Sequence, residues 1–322
     1  MAEKKLYSSL DITKYILAVL VIGIHTQPFS FNIWLDRGFA IITRICVPFF
    51  FVTSAYLFWK SKGKSATKYV FRISLLYVLW SLIYLPFDIN AIQHMSCFYF
   101  FKFYFWIGGG HELWYLPASV VGFFIVFFLL KIFKPRTVFL IAAAVLLIGC
   151  LGSTWSPLIG NNHFVDIVVN HIGYRTGLFY GFPYIALGMF LAKTEERWIH
   201  WKNKFLYLGF LGSLVLLIIE SFIFVVYLKT GYTVLWISVL PLIAFLFFIL
   251  VKENLPVSKT FSVFLRNMST VVYVSQSLFL MTISVENHMV RFVSVALCAS
   301  VLAAVIVFLS RFKWLQFLRF LY

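Results

Sequence analysis

Charge is what this chain has least of. Only 12% of its 322 residues are charged, against 62% hydrophobic, whereas soluble domains carry about a quarter charged and about half apolar residues. That excludes the soluble classes. Acidic residues are the scarcer sign, with 11 Asp and Glu against 27 Lys and Arg and a formal net charge of +16. Cysteine is sparse too: Cys46, Cys97, Cys150 and Cys298 show no paired metal-ligand spacing and are expected to act as small apolar filler. The seven histidines match no zinc motif, so no metal is expected. Internal repeats and low-complexity tracts are missing as well. The stretches between apolar runs reach only about 20 residues, so one membrane domain, residues 1–322, is expected to account for the chain.

What is there instead is a series of apolar runs bounded by charge or by Pro and Gly clusters. About 20 apolar residues cross a bilayer core. Ten candidate spans follow: Leu10–Phe29, Phe39–Trp59, Arg72–Ile92, Leu113–Phe133, Val138–Trp155, Gly177–Ala192, Phe205–Leu228, Thr233–Val251, Met268–Ser284 and Phe292–Phe312. The aromatic segment Phe98–Trp106, which carries Lys102, is too short to span and reads as an interfacial helix. The first run is not read as a removable signal peptide, because no small-residue cleavage pattern follows it. The fold class expected is all-α, a polytopic membrane helical bundle of about ten transmembrane helices.

The basic residues support that count. With ten spans, twenty of the 27 Lys and Arg fall on one side, among them Lys4, Lys5, Lys60, Lys62, Lys64, Lys68, Lys134 and Arg311. Only Arg37, Lys102, Lys229 and Arg291 fall on the other; Lys14, Arg44 and Arg175 lie within or at the edge of spans. The positive-inside rule then makes both termini cytoplasmic, in a multi-pass protein of the plasma membrane. The net charge is thus a topology signal reinforced by anionic lipid. Nucleic acid is not an expected partner, since the basic residues are split among separate loops. Cys97 and Cys150 map to the outer side, which leaves a disulfide between them open.

Lys14 and His25 mark the place to look for chemistry. Both lie inside the first apolar run, where an ionisable group costs roughly 2.5–3.5 kcal/mol at the helix centre. Such a group faces a protein interior or a wet cavity. Eleven residues return to within about 20° of the starting direction and climb roughly 16 Å, so the two share one stripe. His25 is the candidate catalytic base, because imidazole titrates where proton transfer from a hydroxyl needs it; the competing role is an interhelical hydrogen bond.

Several ordered fragments resemble a known family. LDITK with the following His25, RICVPFFFVTSAYLFWK (Arg44–Lys60), KYVFR at the start of the third span, HELWYL (His111–Leu116), YRTGLFYGFPYIALGMFLAK (Tyr174–Lys193), Glu220 and LRNMSTVVYVSQ (Leu265–Gln276) together look like acyltransferase family 3. These are bacterial integral-membrane acyltransferases that modify surface polysaccharides and related molecules. The branch it is most similar to includes polysaccharide O-acetyltransferases and the membrane portion of glycopeptide-resistance serine racemases; no racemase domain is expected in these residues. The resemblance implies an acyl donor, usually acetyl-CoA, entering from the cytoplasm, and an acceptor hydroxyl reached from within or beyond the membrane.

Under that resemblance Lys14, Lys68 and Arg72 are candidates for the CoA phosphates, with ordinary positive-inside anchoring as the alternative for Lys68 and Arg72. Arg72 matches the second basic residue of the family's Arg-x-x-Arg pattern, and Tyr69 stands where the first is expected. Glu220, mid-span, either orients His25 or serves as a structural tie. Arg44 and Arg175 either stabilise the oxyanion formed on the attacked carbonyl or bridge helices. His111, Trp114 and Tyr273 either line the acceptor path or act as interfacial anchors. Gln276 stands where the family commonly has histidine, and an amide cannot exchange a proton near neutral pH.

The function expected is a membrane-bound acyltransferase moving an acyl, in the first instance acetyl, group from cytoplasmic acyl-CoA to a hydroxyl of a cell-surface glycan or its lipid-linked precursor. The alternative is a small-metabolite transporter, for an amino acid for example, built on the same bundle.

Overall fold

The computed structural model describes residues 6–61, 65–160, 162–230 and 235–322. Lys4, Lys5, Lys62 and Lys64 of the charge reading, and the Thr233 start of the eighth expected span, lie outside these residues. The described residues form helices and connecting turns, with no strand among them. Helices of ten residues or more follow in this order: α1 (Ser8–Thr26), α2 (Ile33–Ile42), α3 (Cys46–Lys60), α4 (Ala66–Gln93), α5 (Tyr115–Leu129), α6 (Pro135–Leu151), α7 (Phe182–Trp198), α8 (Asn203–Ser221), α9 (Val239–Lys252), α10 (Lys259–Thr282) and α11 (His288–Leu309).

Among the described residues five stretches are long and apolar enough to cross a membrane: Ser8–Thr26, Ile33–Lys60, Ala66–Gln93, Asn203–Tyr227 and His288–Leu309. Among the remaining helices, α5, α6 and α9 are apolar but shorter. The segment read as interfacial is helical over Cys97–Ile107, and Phe98, Phe101 and Phe105 stand exposed along it. The four cysteines are free thiols, Cys97 exposed and Cys150 buried.

The chain divides into two compact units, Met1–Cys46 with Phe247–Tyr322, and Val47–Leu246. In the first, α1, α10 and α11 pack on one another. The α1 core stripe is Leu10, Leu17, Ala18, Val21 and Ile22, the helical spacing of one buried face. On α11 the buried row Val295, Ala299 and Ala303 is small enough for close helix approach. Its outward Leu297, Val301 and Val305 remain exposed, because a lipid-facing surface has no need of polar cover. The turn after α1 is fixed by Gln27 in left-handed backbone, φ 49°, whose N–H closes on Gly23 O. Arg291 caps the far end of α10, donating to Leu280 O at 2.8 Å and Ile283 O at 3.1 Å, where the helix dipole favours a cation.

The second unit is built around α5 and α7. Gly181, in the π-helical turn Gly177–Gly181 that leads into α7, touches α5 so closely that a Cβ there would sit 2.3 Å from Ala118 O. Aromatic side chains fill the space around α3: Phe51 meets Trp114, Tyr115 and Tyr180, and Phe58 meets Tyr69, Phe123 and Phe127. Such offset and edge contacts add roughly 0.5–1.5 kcal/mol each beyond area burial.

Candidate functional site

In the first unit the candidate residues lie on α1, on α10 and, for Arg44, in the turn between α2 and α3. Helix α1 runs unbroken from Ser8 to Thr26, so Lys14 and His25 do share a stripe about 16 Å long. Both are part-buried. Asp11, one turn before Lys14, is fully buried. It accepts from Arg266 Nε at 2.8 Å and Nη2 at 2.6 Å, and Ser262 Oγ donates to Oδ2. At the other end of α1, His288 Nδ1 donates to Thr26 O at 2.8 Å. The first anchor joins the starts of α1 and α10, and the second joins the end of α1 to the start of α11, six residues past the end of α10, so α1 and α10 run parallel. Gln276 stands about twelve residues beyond the Asp11 level, near the height of Gly23 and within one turn of His25.

Gln276 and Ser275 are completely buried, and Tyr273 is buried beside them. Its Nε2 donates to Tyr273 O at 2.9 Å, while Oε1 has no partner among the described residues. A buried amide oxygen without a donor costs free energy of about 1–3 kcal/mol, which suits a position completed by a ligand or water. Arg44, part-buried, sits in the 3₁₀ turn Thr43–Ile45 between α2 and α3.

In the second unit Lys68 and Arg72 occupy the first turns of α4, four residues apart and both exposed. Ser65 caps that helix by accepting from Lys68 N. Tyr69, between them, is turned into the Phe58 and Phe123 cluster, so the family's first basic position is filled by an aromatic packed inward. Buried Glu195 gathers Tyr56 OH at 2.6 Å and Lys60 Nζ at 2.8 Å. Glu220 is held on both oxygens. Oε1 accepts from Trp155 Nε1 at 2.8 Å and Ile237 N at 3.2 Å, and Oε2 from Ser238 N at 3.0 Å and from Ser238 Oγ. Arg175 is exposed, beside the Tyr174 ring at 6.0 Å. Trp114 is buried against Phe51 and Tyr180.

His111 belongs to a more elaborate arrangement. Its Nε2 lies 2.7 Å from Asp88 Oδ1, and its ring stacks on Tyr84 with centroids 4.4 Å apart and planes 11° from parallel. Tyr104 OH donates to Asp88 Oδ2 at 3.1 Å, and Tyr77 OH to Tyr104 O at 2.6 Å. Burial first, then the Asp88 carboxylate, pushes the Tyr104 phenol up to about 12, so it stays a donor. Gly108, φ 98°, starts the loop; a Cβ there would meet Trp114 Cα at 2.3 Å.

Sequence reasoning singled out His111 but not Asp88, and the first helix but not Asp11 or Arg266. Asp11 had a signal, an acid in the first turn of an apolar run. Asp88 had a weaker one, since nothing in its neighbourhood announces a partner 23 residues on. No group of His, Cys, Asp and Glu able to hold a metal occurs among the described residues.

A family model described as "Acyltransferase domain" matches residues 7–312. Among curated proteins, one named "Amino-acid racemase" from Enterococcus faecalis is 26% identical over 331 residues, covering 95% of this chain and 46% of its own length. A second of that name and organism is 22% identical, with 94% and 46% covered. One named "Serine/alanine racemase" from Enterococcus gallinarum is 28% identical over 239 residues, covering 66% of this chain and 32% of its own. The chain thus spans less than half the length of these relatives. No solved structure matches it.

Proposed function

The chain belongs to acyltransferase family 3, and from that premise we propose that it transfers an acetyl group from cytoplasmic acetyl-CoA to a hydroxyl of a cell-surface glycan or its lipid-linked precursor. It would do so from the plasma membrane, in a bundle of about ten spans with both termini cytoplasmic. The observation that carries the reading is the unbroken α1 helix with Lys14 and His25 on one stripe. An anionic donor suits the lysine end, and a hydroxyl that must lose a proton suits the imidazole end. Lys68 and Arg72, exposed at the start of α4, are the other candidates that the family resemblance offers for the donor phosphates. Pantetheine would run along α1 and present the thioester to His25. The orphaned Gln276 oxygen, near the same height, would accept a hydrogen bond from acceptor or water. In this scheme the acceptor oxygen attacks the thioester carbonyl, His25 takes its proton, and CoA leaves as the thiol after receiving that proton.

The second reading is that the bundle carries a small polar metabolite, such as the amino acids in the relatives' names, across the membrane without chemistry. Intramembrane Lys and His suit a transporter as well.

Titration of the purified protein with acetyl-CoA separates the two. Acyl-CoA binding that weakens about tenfold or more on Lys14→Ala or Arg72→Ala is expected, as the loss of a charge-assisted phosphate contact implies. Folded protein that ignores CoA but takes up serine into liposomes would be a transporter.

A further inference from the structure

The loop that joins the segment Cys97–Ile107 to α5 holds its histidine in an uncommon backbone. His111 and Glu112 both have φ of 59°, the left-handed region that side-chain-bearing residues seldom occupy. Two in succession persist only where the surroundings hold them, and such positions gather at functional sites. Here the hold is visible. Asp88 takes Nε2, Tyr84 lies flat against the ring, and Tyr104 locks the other Asp88 oxygen.

The lock has a chemical consequence. A carboxylate can only accept, so in the neutral imidazole Asp88 holds the proton on Nε2 and leaves a lone pair on Nδ1. Among the described residues nothing bonds to that Nδ1. The side chain is 15% exposed, so the ring is neither sealed in the core nor lost in solvent. The charged group in contact with the ring is the Asp88 carboxylate, and Glu112 follows next in the chain; Lys102 of the preceding segment is directed at Asn170 O, 3.1 Å away. A carboxylate in contact with the ring makes this a poor seat for an anion.

We propose that the Asp88–His111 pair is a docking subsite for the acyl acceptor, in which Nδ1 of His111 accepts the O–H of a neutral hydroxyl and carboxylate or phosphate groups are turned away. The proposal rests on the acyltransferase reading and adds the chemical class of the acceptor surface, an uncharged polyhydroxylated one. Asp88 is sixteen residues along α4 from Arg72, or about 24 Å. Donor phosphates and acceptor hydroxyls therefore bind at opposite ends of that helix. His111 makes the contact; Asp88 is a positioning residue that fixes its tautomer.

The test is nitrogen NMR on histidine-labelled, full-length protein in nanodiscs, with the His111 signals assigned from a His111→Gln sample. The expected result is an Nε2–H tautomer and a saturable shift of Nδ1 on adding methyl glucoside. Glucuronate, the same ring bearing a carboxylate, should bind at least about tenfold more weakly, as like-charge juxtaposition implies. Asp88→Asn should release the tautomer and weaken methyl glucoside binding about fivefold, the value of one hydrogen bond, with acetyl-CoA affinity unchanged. The wild-type spectra decide even if that variant fails to fold. An Nδ1–H tautomer, or a His111 signal indifferent to methyl glucoside, would overturn the subsite whether or not CoA binds. Equal binding of the two sugars would overturn its selectivity. A His111 response in protein that ignores acetyl-CoA would uphold the subsite and remove the acyltransferase reading beneath it.

Discussion

Asp11 and Arg266 form a two-pronged ion pair, Nε to Oδ1 at 2.8 Å and Nη2 to Oδ2 at 2.6 Å, with the carboxylate side fully buried and the guanidinium about one-third exposed. The pair sets α1 beside α10 in parallel and thereby brings Gln276 to the height of His25. The carboxylate that fixes the architecture and the His25 proposed for chemistry thus lie about four turns apart on one helix.

Removing one partner should be costly, because it strands the other. Asp11→Leu is expected to lower stability by about 3 kcal/mol, as for other broken buried pairs. The double variant Asp11→Leu, Arg266→Met should recover a good part of that loss. Thermal unfolding in detergent measures both, and additive losses would show that the two side chains are not coupled.

His25→Ala should leave expression and melting temperature close to wild type while acyl transfer falls by about two orders of magnitude or more. Transfer of labelled acetyl from acetyl-CoA is the readout. Turnover near wild type would take His25 out of the mechanism.

For Glu220 the expectation is the reverse. Its two oxygens accept from Trp155, from the amides of Ile237 and Ser238, and from the Ser238 hydroxyl. Glu220→Gln turns an amide NH₂ onto one set of donors, and a loss of roughly 2 kcal/mol should follow. The protein that stays folded should transfer acyl groups at a near-normal specific rate. A folded variant that has lost activity more than about tenfold would move Glu220 into the chemistry.

Topology can be checked with single introduced cysteines and a membrane-impermeant reagent, since the alternation of Lys and Arg motivates both termini inside. A cysteine in place of Lys229 should label from outside in intact cells, and one in place of Lys134 should not. Labelling at Lys134 alone would invert the orientation.

The membrane class, the all-helical fold and the Lys14–His25 stripe were legible in the residues themselves. Bilayer thickness dictates run length, and a helix alone dictates which residues share a face; neither depends on what packs alongside. The long polar α10 was legible only in part, from Met268 onward, because Lys259, Arg266 and Asn267 interrupt its apolar pattern. Its partner Asp11 explains why Arg266 is tolerated there.

Pairings across the chain were decided by tertiary structure. Asp11 meets a residue 255 positions away, and Asp88 meets one 23 away across a glycine loop. Glu220 is satisfied by an indole and by backbone amides rather than by a cation. Hydropathy reads each segment against lipid or water and is blind to which polar groups share a buried space. The composition of this chain therefore determined that it lives in a membrane. Packing alone determined that His111 is held by Asp88 with one ring nitrogen open, since hydrogen-bond partners follow from how helices and loops meet, and no single segment encodes that.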